Sequence, residues 1–151
     1  MPAVLLDANL LVLLIVGTTD PSYVGRHRRL RAYDKSDFDL LIEFIRPMSA
    51  LVVTPYILIE TSNTLLSGIG EPARSHIADT FRQLVGSLDE RFVHSTRAVE
   101  QPEFPRLWLT DAAVLMELVN SHVLLTADLD LYLAASQRGY TAINFNHLRQ
   151  L

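Results

Sequence analysis

The sequence contains no cysteine, which removes disulfides, thiolate nucleophiles and cysteine-ligated zinc together. Lysine is nearly absent too: twelve of the thirteen basic residues are arginine, and Lys35 stands alone. Histidines at 27, 76, 94, 122 and 147 fall at no paired metal spacing, so any metal here is expected on oxygen. The longest apolar run starts at Leu10 and stops at Gly17, well short of the roughly 20 residues of a membrane span. The N-terminus has no basic lead, and Asp7 and Asn9 interrupt where a signal peptide would carry its apolar stretch. A soluble, cytoplasmic protein with no membrane association is expected. A net charge of −4 argues against a broadly basic nucleic-acid binder and leaves room for a local basic patch.

What is present is apolar: 49% of the 151 residues are hydrophobic and 20% charged, enough for one domain with its own core. Residues 1–151 show no internal repeat, low-complexity tract or composition break. "AVLL" before Asp7 is a short aliphatic run without alternation, the pattern of a strand buried on both faces. A helix is expected from about Asn9 to Val16. "GTTDPSY" follows as a loop, then "GRHRRLRAYDK", the most basic stretch, so that residues 17–35 read as an inserted basic loop. "SDFDLLIEFIRPM" reads as an amphipathic helix capped by Ser36, with Leu40, Leu41, Phe44 and Ile45 on one face. "ALVVT" is a second buried strand, and Pro55 suits the first turn of the helix "YILIETSNTLLSG". A further helix covers "EPARSHIADTFRQLVGSLDE", "RFVHST" reads as a third strand and "QPEFPR" as a linker. "LTDAAVLMELVNS" is read as a helix, "HVLLTAD" as a strand leading into the helix "LDLYLAASQRG", and "YTAINF" as the last strand. Short strands separated by helices spell repeated β-α units around a parallel sheet.

Asp7 is the most conspicuous residue of this pattern, a carboxylate in "VLLDANLLVLL". Burying one without a partner costs several kcal/mol, so a helix cap, an ion pair, a covalent role or a bound cation must compensate it. The nearest basic residue along the chain is Arg26. In open α/β sheets ligands sit beyond the carboxyl ends of the strands, where Asp7 and Asp128 both fall, Asp128 with Asp130 two residues on. Asp111 is read as opening a helix after Thr110. Glu60 lies on the polar face of its helix with Asn63 and Thr64, opposite Ile57, Leu58, Leu65 and Ile69, so periodicity does not bury it. Each acid has an ordinary structural reading alone, a cap or a solvated side chain. Together, carboxylates gathered at one end of a sheet repel one another unless a cation neutralises them. Oxygen-only ligands suit Mg²⁺ or Mn²⁺, which points to metal-assisted hydrolysis of a phosphodiester.

"LLDANLLV", "TPYILIETSN", "LTDAAVL" and "VLLTADLDLY" resemble, in order and spacing, the acidic motifs of the PIN-domain nucleases, and the likeness covers the chain from Pro2 to about Leu148. The resemblance implies an α/β fold, a three-layer α/β/α sandwich with a central parallel sheet of about five strands. It also implies that Asp7, Glu60, Asp111 and Asp128 are the catalytic, metal-binding acids, with Asn9, Thr126 and Asp130 as accessory groups. The activity implied is Mg²⁺- or Mn²⁺-dependent endonucleolytic cleavage of RNA. For a domain of this size the resemblance is to a VapC-type toxin, held inactive by an antitoxin protein and dimeric. The segment 17–35 is longer than compact members carry, and Arg26, Arg28, Arg29 and Arg31 within it could meet RNA or an acidic partner or simply be solvated.

Two other phosphate chemistries begin with a strand ending in Asp. Haloacid-dehalogenase-like phosphatases place a second Asp where this chain has Asn9 and need a downstream lysine for which Lys35 lies in the wrong place; phospho-accepting receiver domains need one near the final strand, where this chain has none. Two readings remain beside the toxin: a PIN nuclease of RNA processing or turnover without an antitoxin, and a non-catalytic PIN-like module that binds RNA or protein. The presence of all four acids argues against the last.

Overall fold

A computed structural model describes residues 1–120 and 122–150. Five strands, β1 (Val4–Leu6), β2 (Leu51–Val53), β3 (Asp89–Glu90), β4 (Val123–Thr126) and β5 (Ala142–Asn144), form one sheet in the order β3-β2-β1-β4-β5. Every pairing is parallel, with Val4 opposite both Leu51 and Val123, and Leu6 opposite Leu125. Helices flank the sheet, giving the α/β sandwich expected. The two central strands consist of Val and Leu, with Thr126 closing β4, and are buried throughout, as strands covered on both faces must be.

The helices are α1 (Ala8–Thr19), α2 (Lys35–Ile45), α3 (Pro55–Leu65), α4 (Ala73–Val85), α5 (Ser95–Ala98), α6 (Phe104–Glu117), α7 (Leu129–Gln137) and α8 (Phe145–Leu148). α1 is buried from Leu10 to Gly17, and it packs against α2, α3 and α4. A Cβ on Gly17 would stand 2.2 Å from the Phe38 ring, so only glycine lets α1 and α2 approach this closely. None of the helices among the described residues is long and apolar enough to cross a membrane.

Four local expectations are corrected. The third strand is Asp89–Glu90, not "RFVHST": it forms the sheet edge by pairing with Val52 and Val53, and an edge position asks no apolar pattern of it. α2 is capped by Asp34, not Ser36; Asp34 accepts the Asp37 N–H at 3.1 Å while Asp37 accepts the Asp34 N–H at 2.9 Å, a reciprocal capping box. The stretch 17–35 is no open loop, because α1 runs to Thr19 and two 3-10 helices, Pro21–Arg26 and Arg28–Leu30, follow. "QPEFPR" is not simply a linker, since α6 starts within it at Phe104.

Where β1 and β4 adjoin, the connections diverge: the chain proceeds to β2 and β3 on one side and to β5 on the other. This is the topological switch point, beyond which a crevice opens in folds of this kind. Asp7 follows β1 and Asp128 follows β4, so both stand at its mouth.

Candidate active site

Asp7 is 9% exposed, and its compensation is visible. Its Oδ1 accepts the Leu10 N–H at 2.9 Å, capping α1, which is worth on the order of 1 kcal/mol. Its Oδ2 accepts the Ala127 N–H at 2.9 Å and the Thr126 hydroxyl. Burial raises the carboxyl's pKa while these three donors pull it down, and the balance is upward. None of the ion pairs among the described residues involves Asp7. The cap is therefore real, and a carboxylate oxygen that accepts one N–H retains capacity for a cation.

Asp128 caps α7 through its Oδ1, which accepts the Leu131 N–H at 3.1 Å, and its own N–H donates to the Thr126 hydroxyl oxygen at 3.0 Å. Thr126 thus gives its proton to Asp7 and receives one from the backbone of Asp128, holding the two acids at a fixed spacing. Glu60 is exposed on α3, where its Oε1 accepts the Thr110 hydroxyl at 2.7 Å and ties α3 to α6.

Asp111 reaches the site by an unexpected route. α6 begins at Phe104, well before Thr110, but Trp108 interrupts it with φ 66° and ψ −170°, a region that essentially only glycine visits and that costs on the order of 1–3 kcal/mol. The helix restarts past Trp108, so Asp111 does lie in an opening turn. Burial pushes its carboxyl up to about 7, helped by the charges of Asp128, Glu60 and Asp7.

These acids share one cleft of about 310 Å³, lined by Asp7, Asn9, Glu60, Asp111 and Asp128 with Thr110 and Trp108 at their side and Ile57, Leu107 and Val114 as an apolar wall. No lysine, arginine or histidine lines it. Among the described residues no three acidic or histidine side chains already enclose a point where an ion could sit; Glu60 is engaged by Thr110 and Asp7 by its caps. The donor set nevertheless fits a hard cation: it is all oxygen, no cationic side chain in the lining balances it, and a cation would relieve the repulsion from Asp128, Glu60 and Asp7 that adds to the effect of burial on Asp111.

The accessory residues divide. Asn9 lines the cleft and Thr126 braces Asp7, whereas Asp130 lies exposed in the first turn of α7 and is not among the lining residues. Arg26, Arg28, Arg29 and Arg31 do not line it either; Arg28 lies against Gly68, beyond the C-terminal end of α3. Trp108 and Thr110 belong to the cleft although neither is an acid of the four motifs. The chain's sole tryptophan three residues before Asp111 was the available signal.

Comparison with known proteins returns no match to a protein-family model and none to a curated protein. The fold and the cleft define a parallel α/β domain with a carboxylate-lined crevice at its switch point.

Proposed function

We propose that this chain is a metal-dependent nuclease that hydrolyses RNA phosphodiester bonds. One observation carries the reading: Asp7, Glu60, Asp111 and Asp128, from four separate segments, meet in a cleft with no positive side chain in its lining. A phosphate enters such a cleft only with a cation, and a bound Mg²⁺ or Mn²⁺ supplies the charge that stabilises an attacking water and the phosphoryl oxygens. Asp7, Glu60, Asp111 and Asp128 would hold it. Asp7 is kept still by its three donors, Thr126 sets its distance from Asp128, and Ile57, Leu107 and Val114 limit water on the apolar side.

The choice of RNA rests on the motif resemblance to PIN-domain nucleases, as do the toxin role, the antitoxin partner and the homodimer. The test is cleavage of an RNA mixture in Mn²⁺ by the wild type, Asp7→Asn and Asp128→Asn. Loss of cleavage by a hundredfold or more in both variants, with circular dichroism unchanged, is expected; undiminished cleavage overturns the assignment. Growth arrest on expression, relieved by a neighbouring gene product, separates a toxin from an RNA-processing nuclease.

A further inference from the structure

We infer that Trp108 is a stacking platform for an unpaired base of the strand being cut. The inference rests on the nuclease reading of the cleft and names what that cleft grips. Trp108 lines the same cleft as the four carboxylates, yet 67% of its surface is in water. It is the only tryptophan in the chain, and its backbone is held at φ 66° and ψ −170°. An exposed indole on a glycine-like backbone is doubly unfavourable in an isolated fold, and such departures concentrate where a ligand is clamped. The Phe104 ring meets the indole edge to face at 5.5 Å and 85°, which braces it without covering it.

Electrostatics makes the same demand. The cleft lining offers no cationic side chain to a phosphate backbone, so beyond the phosphate held at the cation, grip on the strand within the cleft falls to contacts indifferent to charge. Base–aromatic stacking is such a contact, and it tolerates any base sequence because every base has a π-face. A base within a duplex already has both faces covered, whereas one in a single strand or loop can swing onto the indole.

The sole tryptophan makes intrinsic fluorescence a single-site probe. Wild-type protein in Mg²⁺ is mixed rapidly with a short uridine-rich oligoribonucleotide, or with the same strand annealed to its complement, and read before cleavage proceeds. Saturable quenching by the single strand and little by the duplex is expected. Affinities of the variants for the same strand, end-labelled, are read by anisotropy: Trp108→Phe stays within about threefold of wild type, and Trp108→Gly, which suits the backbone but removes the ring, binds about tenfold more weakly. Equal affinity of Trp108→Gly and wild type overturns the inference, as does equal quenching by strand and duplex. A Trp108 that anchors a protein partner instead gives quenching by neither, which also overturns it. The nuclease reading fails separately: strand-specific quenching with no cleavage by the wild type removes the reaction and keeps the platform, while Asp128→Asn-sensitive cleavage with unchanged Trp108→Gly binding does the reverse.

Discussion

Thr126, at the end of β4, donates its hydroxyl to Asp7, at the end of β1, while accepting the N–H of Asp128 at 3.0 Å. The two residues are 119 positions apart, and the contact is where adjacent strands fix two acids relative to each other. Thr126→Val keeps the shape and removes the hydroxyl, leaving one Asp7 acceptor and one Asp128 donor short of a partner. Urea unfolding is expected to show a loss of roughly 1–3 kcal/mol, with Thr126→Ser close to wild type. If Val costs nothing, the hydroxyl does not support the pair.

Under the proposed function, a cation bound by the four carboxylates would stabilise the folded state by mass action. Thermal unfolding in EDTA, then with Mn²⁺ at about a hundred times its dissociation constant, should differ by about 3 kcal/mol at the melting temperature. The increase should vanish in Asp7→Asn and Asp128→Asn. An equal increase in wild type and both variants would place the ion elsewhere.

Asp111 sets a pH dependence of the metal-free protein. Its folded pKa of about 7 lies above its ordinary 3.8, so between these values the folded state holds a proton that the unfolded state has lost. Stability therefore falls as pH rises through that window. Asp7, raised as well, acts in the same direction. In EDTA the urea midpoint should be lower at pH 8 than at pH 5.5. Asp111→Asn should flatten that difference and raise the melting temperature at pH 8 by roughly 4 °C or more, and a midpoint that rises with pH in the wild type contradicts the assignment.

Arg138, just past α7, clasps Glu103, just before α6, through two bonds of 2.6 Å, and reaches Gln101 at 2.9 Å. Only 21% and 14% of the two side chains are exposed. Removing the guanidinium leaves a largely buried carboxylate unpaired, and Arg138→Ala is expected to cost roughly 2 kcal/mol, less than a fully buried pair because part of each group meets water. Lysine should recover only part of it, since it cannot make the bidentate contact. The pair holds Glu103's pKa below its ordinary 4.5, so its contribution is complete above that value and is lost as pH falls through the depressed pKa. An acid titration of Arg138→Ala below pH 4.5 should be shallower than that of the wild type.

Much of the architecture was legible because burial writes itself into composition. Val4–Leu6 and Val123–Leu125 are covered on both faces, so each had to be a continuous apolar run, and the acids that follow them stood out against it. Glu60 was correctly left exposed by the helical period of α3. β3 was misplaced because an edge strand of two acidic residues owes its conformation to pairing with β2 rather than to any pattern of its own. The cap of α2 was misplaced by two residues because Asp34 and Ser36 both have capping side chains, and only the reciprocal bond with Asp37 distinguishes them.

By itself the sequence determined the class of fold, the identity of the candidate acids and the absence of thiol or lysine chemistry, since these follow from residue type and local period. Only the tertiary structure decided that β1 lies beside β4, which brings Thr126 and Asp128 to Asp7. It also turned the chain at Trp108 to set an exposed indole beside Asp111, and left the arginines of residues 26–31 outside the cleft. Such juxtapositions depend on strand order and on one unusual backbone angle, and neither leaves a periodic trace in the chain.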